Sequence, residues 1–300
     1  MAESGILHET LKLVKTKKKK ATHFVLCNGA KARYLIDLSW EGKKRLSQNI
    51  SAYSGKLNLL MRLLGIVPFS VLKQAGLGYY AKVDLNPAIA DIVAEPQFDG
   101  YNVIIGTYDE KQKLVFQCFK KGITLSEFAK VGNCATDVEM KAEIDFLEKA
   151  KNFTSFKIPE LLKAQLISED YPFNIQITQE FVGEKVLPIL TEDIVQIYKE
   201  ISNRTKYVDG TEYEFSHGDF APWNIKKASD GYIVFDWEHC GYRVKGFDLM
   251  HYCVVSKMML DGKSMKDAFN EGLEEICSFV PAFELDYELF KQEYEALRLE

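Results

Sequence analysis

The pattern of apolar and polar positions changes character along the chain. Phe24 to Leu38 reads as two β-prone stretches around Asn28-Gly29, a pair that accepts positive φ at both central turn positions and so predicts a tight hairpin. Leu57 to Leu64 has helical apolar spacing, ended by Gly65 and Pro68. Tyr101 to Thr107 is a further β-type run, and a polar connection leads from it into Leu114 to Phe119. After Lys120-Lys121-Gly122, Thr124 to Val131 supplies a third strand, so that this region predicts an antiparallel meander. Thr136 to Lys149 predicts a helix with Val138, Ala142, Phe146 and Leu147 on one face. Asn174 to Phe181 returns to a strand pattern, closed by Val182-Gly183. Beyond that point the segments read as helices, apart from the short strand Tyr232 to Phe235. Strands first and helices later define an α+β protein with a sheet-rich part and a helical part.

Composition narrows the classes without choosing among them. With 300 residues, 47% hydrophobic and 27% charged, the chain suits two domains or one bilobal unit with a real core. A net charge of -5 argues against a dedicated nucleic-acid binder, which would carry a basic excess. The charge is unevenly placed: residues 183–300 hold 13 basic and 23 acidic side chains, so the second part is acidic and the first slightly basic. Such a split suits a cleft that holds an anion and a cation, although two solvated surfaces would look the same. The six cysteines, Cys27, Cys118, Cys134, Cys240, Cys253 and Cys277, form no CxxC pair and read as reduced, mostly buried thiols of a cytoplasmic protein. No apolar run before Phe24 has the form of a signal peptide, and Lys17 to Lys20 reads as a solvated tail. Leu63 to Leu72 is too short, and too interrupted by Pro68, to span a membrane; it reads as a buried helix-turn segment.

The chemistry concentrates in FSHGDFAPWNI, Phe215 to Ile225, and in YIVFDWEHCG, Tyr232 to Gly241. Phosphoryl transfer needs a carboxylate beside the attacking hydroxyl and oxygen ligands for the magnesium that bridges the phosphates. Asp219 can be the first group. Asn224 on the same loop, and Asp236 at the tip of the next strand, can be the ligands. The order His-x-Asp-x4-Asn followed by a strand ending in Asp is that of the protein-kinase template, with Gly218 in place of Arg and Asp-Trp-Glu in place of Asp-Phe-Gly.

HGDFAPWN, the following IVFDWE, and Phe247-Asp248-Leu249 downstream together resemble the aminoglycoside phosphotransferase and choline kinase superfamily, from about Tyr101 onward. The resemblance implies a bilobal protein-kinase-like fold. Residues 1–95 would be an N-terminal extension or accessory subdomain, 96–182 an antiparallel-sheet nucleotide-binding N-lobe, and 183–300 a mainly helical catalytic and substrate-binding C-lobe. It implies Asp219 as catalytic base, His217 as an anchor of its loop and Asp248 as the loop's brace. Asn224 and Asp236 would bind Mg²⁺, with Glu238 as a further ligand of the choline-kinase type. Lys130 would hold the nucleotide phosphates, fixed by Glu143 on the following helix, with Lys120 and Glu139 as the competing pair. Gln179, Phe181 and Val182 would fall at the hinge that binds adenine through backbone groups. The glycine-rich loop departs from the kinase pattern, since only Gly106 stands there. Trp223, Trp237 and Tyr242 read as packing residues, His239 and His251 as packed or surface histidines, and Glu180 and Glu184 as ordinary charges.

The implied activity is an ATP-dependent small-molecule kinase, a magnesium-using phosphotransferase acting on a hydroxyl of a sugar, aminoglycoside or amino alcohol, with GTP as the other nucleotide. The acidic second part points to a cationic acceptor or partner. Two other classes share the motifs. One is a kinase-like nucleotide-binding protein without turnover, associated with envelope polysaccharide biosynthesis. The other is an atypical protein kinase, which the missing Ala-Pro-Glu element disfavours.

Overall fold

The computed structural model describes residues 6–49, 66–93, 98–120, 126–150, 153–169 and 171–299. The expected helix over Leu57 to Leu64 lies outside them. The chain forms two compact units, Met1–Ile144 with Glu160–Glu180, and Asp145–Pro159 with Phe181–Glu300. The α+β class expected from the alternation is the class observed.

In the first unit, β1 (Leu11–Lys15), β2 (His23–Asn28) and β3 (Lys31–Asp37) precede β4 (Gly78–Leu85), β5 (Gly100–Ile105), β6 (Leu114–Phe119) and β7 (Ser126–Gly132). With β9 (Leu161–Gln165) and β10 (Asn174–Gln179) they make one nine-stranded sheet in the order β1-β4-β2-β3-β5-β6-β7-β10-β9. Every pairing in it is antiparallel. Four of these strands come from residues 1–95. The expected hairpin forms, but its turn is Gly29-Ala30, one residue later than the Asn-Gly pair implied: Asn28 stays in β2 opposite Lys31, and Gly29 alone takes a positive φ, 61. The lysine run expected as a tail is instead an exposed 3-10 turn, Lys18–Lys20, joining β1 to β2.

Strand alternation gives this sheet two unlike faces. Val103 and Ile105, Phe116 and Cys118, Ala129 and Val131, and Ile175 and Ile177 point to one side. There they pack with Ile6 and Leu7 of α1 (Ile6–Thr10) and Ile89 and Val93 of α4 (Pro87–Val93). The other side is mixed: Phe119 lies there fully buried, and so do the polar side chains of Asn102, Gln117 and Gln176. Buried amides need partners, and α2 (Trp40–Asn49) supplies one of them, the Gly42 carbonyl that accepts from Asn102. The short helix α3 (Phe69–Gln74) packs by Phe69 and Leu72 against Phe24 and Tyr80.

The helix after β7, α5 (Asp137–Lys149), presents Met140, Glu143, Ile144 and Leu147 inward. The expected apolar face is therefore corrected: Val138 is 81% exposed, because the inward face is the one that carries Glu143.

The second unit has more strand than the expected run of helices. β8 (Phe156–Lys157), β11 (Glu184–Lys185), β14 (Ile225–Ala228) and β15 (Gly231–Val234) form a four-stranded sheet. β12 (Thr205–Val208), β13 (Thr211–Ser216) and β16 (Gly241–Val244) form a three-stranded one. These strands are only two to six residues long, too short to leave a clear period in sequence. Among the described residues α6 (Glu192–Ile201), α7 (Phe247–Asp261), α8 (Met265–Phe279) and α9 (Tyr287–Leu299) belong to this unit as well. The first ten residues of α7 are all buried, so it is the unit's central helix. Among the described residues no helix is long and apolar enough to cross a membrane. All six cysteines are free; Cys118 and Cys253 are buried, whereas Cys134 is exposed, against the expectation of mostly buried thiols.

Candidate functional site

In the second unit the site is built on the loop between β13 and β14. An aromatic stack fixes its start: Trp237, fully buried, lies 4.0 Å from Phe146 and 4.4 Å from the His217 ring. His217 accepts at Nδ1 from the Asp219 backbone N–H at 3.2 Å, which leaves Nε2 to donate to the Phe235 carbonyl at 3.0 Å. That tautomer is neutral, and complete burial depresses its proton affinity in the same sense. The imidazole thus serves as an anchor between the loop and the strand that ends before Asp236.

Asp248, in the first turn of α7, holds the loop from the other side. Its two carboxylate oxygens accept the backbone N–H groups of His217 at 2.6 Å and Gly218 at 3.0 Å. Gly218 has φ 86, and a Cβ there would stand 2.1 Å from the His239 carbonyl oxygen. Only glycine fits this turn.

Asp219 is thereby presented with both oxygens engaged. Oδ2 accepts from Asn224 Nδ2 at 2.8 Å, and Oδ1 accepts from His251 Nε2 at 2.9 Å. Burial works against its charge, but the hydrogen bonds from His251 and Asn224 outweigh it and hold the carboxyl below its usual range. Asn224 also donates Nδ2 to the Asp219 carbonyl at 2.9 Å, so its amide orientation is set and Oδ1 is the atom left for another partner. Asp236 sits at φ 70, the left-handed region that a non-glycine residue enters at a cost. It and Glu238 each bring a carboxylate oxygen within 4.8 Å of the other.

In the first unit, Lys130 on β7 donates Nζ to Glu143 Oε2 of α5 at 2.6 Å. Of the competing pair, Lys120 is exposed just past β6, and Glu139 is held by Lys111 and Lys113, each at 2.8 Å. Gln179 ends β10, its N–H bonded to the Glu160 carbonyl at 3.0 Å. Phe181 and Val182 belong to the second unit. Phe181 lies against Phe235 at 4.8 Å, and Val182 is 60% exposed.

Sequence reasoning missed three features. His251, read as a packed or surface histidine, is buried but touches Asp219; its position three residues after Asp248 on α7 was the available signal. Glu180, read as an ordinary charge, has a side chain only 5% exposed and pairs with Arg45 at 2.8 Å. Glu214 is buried on β13 with its carboxyl pushed up to about 7, chiefly by burial.

No family model matches the chain, and no curated protein matches it. Solved structures similar to it include a microcompartment-associated aminopropanol kinase, at 12% identity and TM-score 0.44, covering 71% of this chain and 88% of that one. An amicoumacin kinase in complex with AMP-PNP and Ca²⁺ is similar at 15% identity and TM-score 0.37, over 76% and 82%. A spectinomycin phosphotransferase in complex with ADP is similar at 13% identity and TM-score 0.42, over 67% and 80%. With scores below 0.5, these resemblances do not by themselves assign the chain a family, a substrate or a residue role.

Proposed function

We propose that the protein is an ATP-dependent phosphotransferase that phosphorylates a hydroxyl group of a small molecule. The observation that carries this reading is the Asp219–Asn224 pair. One amide nitrogen binds both the carboxylate and the carbonyl of Asp219, which leaves a carboxylate to meet a hydroxyl and an amide oxygen to meet a cation. The Lys130–Glu143 pair adds a fixed ammonium of the kind that holds nucleotide phosphates.

Asp219 orients the acceptor hydroxyl toward the γ-phosphorus. A carboxyl held below its usual range is a weak base, so it takes the proton only as the new O–P bond acidifies the hydroxyl, while the bond from phosphorus to the ADP oxygen breaks. His217 and Asp248 keep the loop in register for this. Most of the acceleration is then positioning and preorganised charge.

The donor set fits a hard divalent cation such as Mg²⁺. Asn224 Oδ1, Asp236 and Glu238 are oxygen donors, and two carboxylates so close together are relieved by a positive ion. When bound, the ion supplies neutralisation of the β,γ-phosphate charge. Gln179, Phe181 and Val182 are assigned to the nucleotide base through backbone groups other than the Gln179 N–H, which the Glu160 carbonyl holds. The acidic surplus of residues 183–300 supports a cationic acceptor, of the amino-alcohol or aminoglycoside class, over a neutral sugar.

Thermal-shift titration with ATP and GTP, with and without Mg²⁺, followed by ADP release with candidate acceptors, tests the assignment. The Asp219→Asn variant should keep nucleotide binding and lose turnover. Turnover equal to wild type in that variant, or no nucleotide-dependent shift in the wild type, overturns it.

A further inference from the structure

The helix α2 does more than cover the sheet. It lies on the Asn102 and Gln117 side of β5 and β6, close enough that a Cβ on Gly42 would stand 2.8 Å from the Asp37 Cβ. A closed chain of hydrogen bonds joins the two. Asn102 accepts from the Asp37 N–H at 3.0 Å and donates to the Gly42 carbonyl and to Gln117 Oε1, each at 2.9 Å. Gln117 Nε2 in turn donates to Glu180 Oε1 at 3.0 Å. Arg45 closes the chain, donating Nη1 to Glu180 Oε2 at 2.8 Å and Nε to Glu41 at 2.7 Å. Its guanidinium lies over the Phe119 ring, 5.7 Å from the centroid.

Arg45 and Glu180 are both buried, at 8% and 5% side-chain exposure. A pair taken so far out of water gains little stability over an apolar pair of the same size, because desolvation offsets the attraction. What the pair does confer is placement. Glu180 is the last residue of the first unit and stands inside the Gln179–Val182 segment assigned to the nucleotide base.

We propose that Arg45 is a positioning residue of the nucleotide site. By fixing the Glu180 carboxylate, it sets the backbone of the Gln179–Val182 segment in the geometry that receives the base. The N-terminal segment carrying α2 is then part of the nucleotide-binding machinery rather than an appendage. This deepens the phosphotransferase reading and rests on it.

The test uses the full chain with three substitutions. Arg45→Met keeps an apolar stem of similar length and removes the charge. Glu180→Gln keeps an acceptor for Gln117 and weakens the hold of Arg45. Leu46→Ala removes a buried side chain from the same helix, outside the hydrogen-bond chain, and so reports destabilisation alone. Amide hydrogen exchange at Gln179–Val182 and calorimetric affinity for ATP with Mg²⁺ are the readouts. Arg45→Met and Glu180→Gln should each speed that exchange, and weaken ATP binding, by about tenfold or more, as for loss of one partner of a buried charge pair. Leu46→Ala should lower the melting temperature while leaving both readouts near wild type. Wild-type exchange and affinity in Arg45→Met and Glu180→Gln overturn the proposal, as does an equal effect from Leu46→Ala. A wild-type protein that binds no nucleotide defeats the phosphotransferase reading and the nucleotide role of Arg45. The exchange comparison then still separates that failure from a loss of Arg45–Glu180 coupling.

Discussion

Replacing Asp248 with Asn should cost more than its near-identical shape suggests. Asp248 is 1% exposed, and its carboxylate accepts two backbone N–H groups, of His217 and Gly218, one on each oxygen. An asparagine can accept one of these bonds. Its NH₂ must then face the other N–H, donor against donor, whichever way the amide is turned. The loss comprises one charge-assisted bond, about 1.5–3 kcal/mol, and one buried N–H left without an acceptor, about 1–3 kcal/mol. Relief of the desolvation of the carboxylate offsets part of this, which leaves a net effect of about 3 kcal/mol. Against a total stability of about 5–15 kcal/mol that is a large fraction. Urea denaturation at pH 7 measures it as a lower midpoint at unchanged slope. A midpoint shift worth less than about 1 kcal/mol would refute the reasoning, since it would mean that neither N–H depends on the carboxylate. The same change loosens the Gly218 turn that presents Asp219, so turnover should fall further than nucleotide affinity.

Gly218→Ala should be comparably severe, at about 3 kcal/mol or more, because the positive φ of 86 and the 2.1 Å approach to the His239 carbonyl oxygen involve backbone that cannot step aside. A wild-type melting temperature in that variant contradicts the turn geometry assigned to the loop. Glu214 gives a pH dependence with a definite sign. Its carboxyl is raised to about 7 by burial and by Asp248, against the Gly246 and Tyr198 bonds, so the folded protein holds a proton that the unfolded chain has released. Stability therefore falls as pH rises from about 4.5 through about 7, by up to roughly 3 kcal/mol. Glu214→Gln, which keeps an acceptor for the Gly246 N–H, should be more stable than wild type at pH 8 and not at pH 5. A stability difference that is the same at both pH values removes the group from this role.

Legibility in the sequence followed separation along the chain. His217, Asp219 and Asn224 lie within eight residues, so the loop's order already implied its geometry, and the apolar strand before Asp236 implied where that carboxylate would emerge. Lys130 was singled out through the family resemblance alone. On β7 it falls in the same alternation phase as the paired residues Val115 and Gln176, opposite the apolar face formed by Ala129 and Val131. The second unit's strands were not readable. A pairing as short as Glu184–Lys185 with Lys226–Lys227 has no period, and what makes it a strand is a neighbour some forty residues away.

Arg45 and Glu180 mark the limit of such reading. Nothing local distinguishes Arg45 from any arginine with a glutamate four residues before it, and its decisive partner is 135 residues distant. Read locally, each charge predicts a solvated surface. The burial of both becomes intelligible only once the sheet places Gln117 and Asn102 between them as a ready chain of donors and acceptors. Those two amides were themselves a signal, for Asn102 and Gln117, paired across β5 and β6, fall in the phase opposite the apolar Val103 and Phe116. Buried amides require donors and acceptors, and α2 provides one in the Gly42 carbonyl that accepts from Asn102. The first ninety-five residues, which carry no catalytic motif, thus have a physical reason to stay with the unit that holds Lys130.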